Sequence, residues 1–125
     1  MRPRVSLFFL SAFIATTTAA SAQTMNAEAF FQRGTALQRK GPFALLSRDA
    51  SVLIGEGKAA GMKSRQLREA AITAGRRPRY CPPPGKVSIS SSEFMQRLGA
   101  IPASERRTID MTEATTRIFA AKFPC

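Results

Sequence analysis

The sequence predicts an all-α fold, a small helical bundle of about four to five helices with a Pro-rich loop stapled by one disulfide. Three observations lead there. Residues that cap helices stand ahead of segments whose apolar side chains recur at three- and four-residue steps. Proline and glycine punctuate the joints between those segments. The two cysteines, Cys81 and Cys125, lie in a Cys-Pro-Pro-Pro-Gly loop and at the last residue of the 125-residue sequence.

The N-terminal 22 residues read as a cleaved secretory signal peptide. Arg2 and Arg4 form a positive start, Val5 to Ile14 an apolar run, and Ala20-Ser21-Ala22 the small residues that precede a cleavage before Gln23. The apolar run is about half of the roughly 20 residues that a spanning helix needs. Residues 23–125 are then expected to be a single domain, exported to the periplasm.

The first helix is expected from Asn26, a capping residue, to Lys40, with Phe30, Phe31 and Leu37 on its apolar face and Gly41-Pro42 as its stop. Phe43, Leu45 and Leu46 in the turn that follows are expected to anchor it into the core. A second, long helix spans about Ser47 to Ala74. Leu53, Gly57, Ala60, Ser64, Leu67, Ala71 and Ala74 share one face of it, with Lys58, Lys63, Arg65 and Arg68 solvated opposite. Gly57 and Gly61 are expected to admit another backbone, and the glycines between Gly55 and Gly61 to bend or break the helix.

Gly75 to Gly85 holds four prolines and is expected to follow a stiff, extended path. Val87-Ser88-Ile89 suggests a brief extended pairing. Ser90 and Glu93 have the spacing of a capping box, opening a helix whose buried side is Phe94, Met95, Leu98 and Ile101. Pro102 fits the first turn of a short helix through Arg107. Asp110 and Glu113 repeat the capping pattern for the last helix, with Met111, Ala114, Ile118 and Ala121 on one stripe and Phe119 and Phe123 widening it, until Pro124 ends it.

Export decides the reading of the cysteines. In an oxidising compartment, two cysteines in a small domain are most simply a disulfide. A Cys81–Cys125 bridge closes a loop of 44 residues, a restraint of about 4 kcal/mol in the chain-entropy treatment.

Charge is lopsided: 19 Lys and Arg face 8 Asp and Glu, and without the signal segment, which holds Arg2 and Arg4, the surplus is +9. Such a surface favours anionic partners. The densest cluster, Arg76, Arg77 and Arg79, adjoins Tyr80 and Lys86 in the stiff loop. These five residues are the candidate partner-binding set.

Chemistry is sparsely provided. The chain contains no histidine, which removes Ser-His and Cys-His pairs and the commonest transition-metal ligand. Asp110 and Glu113 serve as caps, no carboxylate pair is set for acid–base work, two cysteines alone make no zinc site, and the glycines match no phosphate loop. One aromatic among the loop cations is too little for a nucleic-acid surface. The expectation is a protein that binds rather than catalyses, without cofactor or metal.

The order Cys81-Pro-Pro-Pro-Gly85, a short extended step, a capped helix, Pro102 and a last helix closing on Phe123-Pro124-Cys125 resembles the Tai family of immunity proteins, partners of amidase toxins delivered by type VI secretion systems. In that family a Cys-x-Pro-x-Gly loop precedes two helices and a closing aromatic-Pro-Cys. Cys81, Pro83, Gly85, Phe123, Pro124 and Cys125 match, over roughly Tyr80 to Cys125. Many members carry a second cysteine pair that this chain lacks, and residues 26–74 fit the pattern poorly. The resemblance implies a small helical protein, often dimeric, that plugs the active-site groove of a cell-wall amidase. The alternative expectation is an exported, envelope-associated basic protein that binds anionic lipid or lipopolysaccharide with no toxin partner.

Overall fold

Short polar side chains start the four long helices. Asn26 accepts from the backbone N–H groups of Glu28 and Ala29 and opens α1 (Ala27–Arg39). Ser47 accepts from Ala50 and opens α2 (Arg48–Thr73). Ser90 and Asp110 accept from Glu93 and Glu113 and open α3 (Ser91–Ala100) and α5 (Met111–Lys122). Each cap satisfies donors that the first helical turn leaves unpaired. A short α4 (Ala103–Arg106) follows Pro102, and a 3-10 turn, Pro42–Leu46, joins α1 to α2. This is the all-α bundle of five helices that the capping pattern indicates. The computed structural model describes residues 24–85 and 87–125; the segment 1–22 read as a signal peptide, and Lys86, lie outside the described residues.

Glu93 and Glu113 do not turn back to complete capping boxes. Glu93 binds Arg97 and Lys122, and Glu113 binds Arg79 and Arg117. A cation with several donors outcompetes one backbone N–H for a carboxylate.

The core gathers Ala27 and Phe30 of α1, Leu53 and Ala60 of α2, Leu98 of α3, and Met111, Ala114 and Ile118 of α5. Phe30 meets Phe94 edge-on, with ring centres 6.0 Å apart. Two glycines make close contacts possible. A Cβ on Gly34 would lie 2.7 Å from the Met95 methyl, and one on Gly99 would lie 3.1 Å from the Phe31 ring. α1 and α3 therefore approach through glycine on each side, a device the helical periodicity did not reveal.

α2 runs unbroken past Gly55, Gly57 and Gly61. The tertiary packing of its buried stripe outweighs a propensity cost of about 1 kcal/mol per glycine. A Cβ on Gly57 would lie 3.9 Å from the tip of the Phe30 ring, not against a backbone, and one on Gly61 would meet nothing within 4 Å among the described residues. The predicted apolar face is buried at Leu53, Ala60 and Ser64, but Leu67 is 53% exposed and Ala74 is exposed. The cause is length: 26 residues span about 39 Å, whereas the 12 of its main neighbour α5 span about 18 Å. Arg68 is not solvated as expected; it turns back to the loop.

The turn after α1 corrects the sequence reading most sharply. Phe43, Leu45 and Leu46 are 85%, 69% and 86% exposed, and only Ala44 points inward. A 3-10 turn of five residues has room for one inward side chain, and the smallest occupies it. Val87–Ile89 form no strand; a bridge between Asn26 and Asp110 is present instead. Ala121, placed on the inner stripe of α5, is exposed at the helix end.

The loop is stapled as expected. Cys81 and Cys125 are disulfide-bonded, and Cys81 N–H donates to the Phe123 carbonyl at 2.8 Å. Gly75, at φ 70°, ends α2: its N–H reaches Ile72, and that of Arg76 reaches back to Ala71. This left-handed closure returns the chain toward α5.

The one buried cation is Arg106, among the described residues. Its side chain, 7% exposed, donates to Glu28 at 2.6 Å and to the carbonyls of Gly99 and Ile101, and its guanidinium lies 4.1 Å from the Phe31 ring centre. It closes the open carbonyl end of α3 while tying α4 to α1. Arg106 holds Glu28 below the usual carboxylate range.

Candidate functional site: a basic double groove around Tyr80

The loop cations were expected to form a patch with Tyr80. The structure separates their roles. Tyr80 is 5% exposed. Its hydroxyl lies 3.3 Å from that of Ser64, which lies 2.7 Å from Thr116 Oγ1; Thr116 in turn donates to the Thr112 carbonyl. Its ring packs on Phe119 with centres 5.3 Å apart. The hydroxyls of Tyr80, Ser64 and Thr116 thus each have a partner, as burial requires. Tyr80 fixes the loop across α2 and α5, and what it offers a partner is a floor.

Arg68 completes that floor. Its Nε donates to the Tyr80 carbonyl at 2.9 Å, and its guanidinium sits 5.7 Å from the ring centre. Arg68, Met62 and Tyr80 form a partition with an open groove on either side. The first, about 820 Å³, runs between the Ala59–Ala71 flank of α2 and the start of α5, and Lys63, Leu67 and Arg79 stand along it. The second, about 720 Å³, lies between the other flank of α2 and the proline loop, with Lys58 and Arg65 facing Pro82–Gly85, Val87, Phe119 and Phe123. Exposed Met62, Leu67 and Val87 make the walls partly apolar.

Arg79 is engaged within the fold. It grips Glu113 through two bonds, of 2.6 and 2.9 Å. That grip, joined by Arg117, draws the Glu113 carboxyl down to about 2, and the Glu113 carboxylate holds Arg79 more firmly protonated. Arg76 and Arg77 are exposed at the end of α2 and make no ion pair among the described residues. Lys86 lies outside the described residues.

Charge is unevenly compensated. The ion pairs engage Arg33, Arg79, Arg97, Arg106, Arg117 and Lys122. Among the described residues nine exposed cations lie outside those pairs, Arg39, Lys40, Arg48, Lys58, Lys63, Arg65, Arg76, Arg77 and Arg107, and of these Lys58, Lys63 and Arg65 line the grooves. The contributions of Lys58, Lys63, Arg65 and Arg68 to this rim escaped the sequence reading, which treated them as a solvated face. Their alternation across the two flanks of a helix with a proline loop beside it was the available signal.

No group of three or more Cys, Asp and Glu among the described residues is arranged to hold a metal ion. No protein-family profile, curated protein or solved structure matches this chain.

Proposed function

We propose that the protein is a periplasmic, non-enzymatic inhibitor of the immunity type, exported by residues 1–22, that binds a cell-wall amidase toxin and occludes its active-site groove. The observation that carries this reading is the double groove: two partly apolar clefts share a buried tyrosine floor, and Lys58, Lys63 and Arg65, exposed and outside the ion pairs, stand along them. A convex ridge on an acidic partner would find apolar contact in the clefts and opposite charge at the rim. Such complementarity speeds encounter and selects among partners. The resemblance of Cys81–Gly85 and Phe123–Cys125 to the Tai pattern supports the partner class, and their disulfide gives the loop the rigidity that keeps ordering costs low on binding.

The test uses the oxidised, exported protein as bait in envelope extracts of its own cells and of competitor strains, with high-salt washes. Stoichiometric capture of a peptidoglycan amidase, and inhibition of its hydrolysis of cell-wall peptides, are expected. Arg76→Glu combined with Arg77→Glu should weaken inhibition at least about tenfold while the melting temperature stays unchanged. Recovery of no amidase, or inhibition indifferent to these charge reversals and to Lys63→Glu and Arg65→Glu, overturns the reading.

A further inference from the structure

The 3-10 turn at the far end of α2 has a property the double groove does not explain. Scattered exposed apolar residues are ordinary on protein surfaces. Here Phe43, Leu45 and Leu46 project together from five residues. The turn is held in that pose. Ala44 is tucked in, its N–H bonds the Gly41 carbonyl, and the Ser47 N–H and hydroxyl both donate to the Ala44 carbonyl. Around the projecting side chains stand Arg39, Lys40 and Arg48, all exposed and in no ion pair among the described residues. The nearby carboxylate of Asp49 is already held by Arg33.

We propose that this turn is an interfacial anchor that docks on the surface of an anionic phospholipid bilayer. Phe43, Leu45 and Leu46 enter the boundary between headgroups and acyl chains, while Arg39, Lys40 and Arg48 remain among the phosphates. Three features favour a bilayer over a protein as occupant. An apolar tip surrounded by cations matches the layering of an anionic membrane, hydrocarbon beneath negative headgroups. Insertion of about 5–10 Å, the depth at which peripheral segments bind, suits a single turn. A stable protein interface needs about 800 Å² from each side, more than a five-residue convex turn presents. No helix among the described residues is long and apolar enough to cross a membrane. The inference is independent of the inhibitor reading: its residues occupy the opposite end of α2 from Arg76 and Arg77.

The chain contains no tryptophan, so Phe43→Trp places a single fluorescent reporter at the tip. Vesicles of phosphatidylglycerol mixed equally with phosphatidylethanolamine should shift its emission to the blue, and brominated acyl chains should quench it. In flotation with the same vesicles, Phe43→Ser with Leu45→Ser and Leu46→Ser should lower partitioning at least about tenfold. Arg39→Gln, Lys40→Gln and Arg48→Gln should each lower it by roughly fivefold at low salt. Both sets alter exposed side chains, so melting temperatures should match that of the unaltered protein and act as the folding control. Three outcomes overturn the proposal: emission unchanged by vesicles, equal binding to uncharged phosphatidylcholine, or flotation indifferent to the serine set. A fourth is a wild-type dimer that the serine set dissociates, since the turn would then be a self-association surface. Loss of vesicle binding with amidase inhibition intact would separate the two sites.

Discussion

Asn26 and Asp110, the caps of the first and last helices, face each other across an antiparallel bridge. Ala27 N–H donates to Ile109 at 3.0 Å and Met111 N–H to Met25 at 2.8 Å, so α1 and α5 are locked together at their starting residues. Asn26 also uses its amide nitrogen, which donates to the carbonyls of Arg107 and Ile109. Asn and Asp are equivalent as isolated caps, but only Asn carries those donors. Asn26→Asp should therefore cost about 1–2 kcal/mol in urea unfolding, and the charge of Asp110 opposite adds to the effect. Asp110→Asn should be nearly neutral. Equal losses at the two sites would mean that capping alone is being measured.

Removal of the staple should be costly. Cys125→Ser opens a loop of 44 residues, a loss of about 4 kcal/mol that corresponds to a fall in melting temperature of roughly 15 °C or more. Both half-cystines are exposed, so mild reductant should produce the same fall in the unaltered protein. Calorimetry with and without reductant checks both.

Arg106→Met keeps much of the side-chain volume and removes every donor. It leaves Glu28 without its cation and reopens the carbonyl end of α3. The expected fall in melting temperature is on the order of 15 °C, larger than for any surface Arg. Adding Glu28→Gln should recover part of it, because the stranded charge is removed.

Acid should weaken the bundle in a defined window. The Glu113 carboxyl lies at about 2 in the folded state against an ordinary 4.5, so its contribution is complete above about pH 4.5 and is lost as pH falls toward 2. Arg79 is more than half exposed, which limits this single-residue contribution to on the order of 1–2 kcal/mol. Lys122 and Arg97 also depress Glu93, and its contribution shares the same direction. Arg79→Ala should raise the Glu113 carboxyl and flatten this acid limb; urea midpoints between pH 2 and pH 6, scanned for both proteins, test it.

Thr115 is 1% exposed, and its hydroxyl has no hydrogen-bond partner among the described residues. Thr115→Val, similar in shape, should leave stability unchanged or raise it by about 1 kcal/mol. A loss above about 1 kcal/mol would reveal a buried partner for that hydroxyl, such as an ordered water.

What could be read from sequence was local. Asn26, Ser47, Ser90 and Asp110 act on neighbours two or three residues away, so their roles, and the starts of four helices, are legible without tertiary information. The cysteine pairing followed from there being two cysteines and from the expectation of export. Phe43, Leu45 and Leu46 failed because apolar character does not dictate burial, and no local rule says which way a short turn faces. Arg106 drew no expectation for the converse reason: a buried cation is defined by partners 5 to 78 residues away. The loop motif identified the position of the candidate site, but Tyr80 proved to be its floor, and the rim belonged to α2 residues that had looked like ordinary solvated charge.

One helix sets the distance between the two ends. α2 carries the exposed turn before its first residue and Arg76 and Arg77 just beyond its last, about 39 Å along the axis. Side chains separated by more than about 10 Å, with no shared partners, contribute additively. Substitutions at the two ends should therefore combine without epistasis, so each of the two proposed contacts would be free to change without repair of the other.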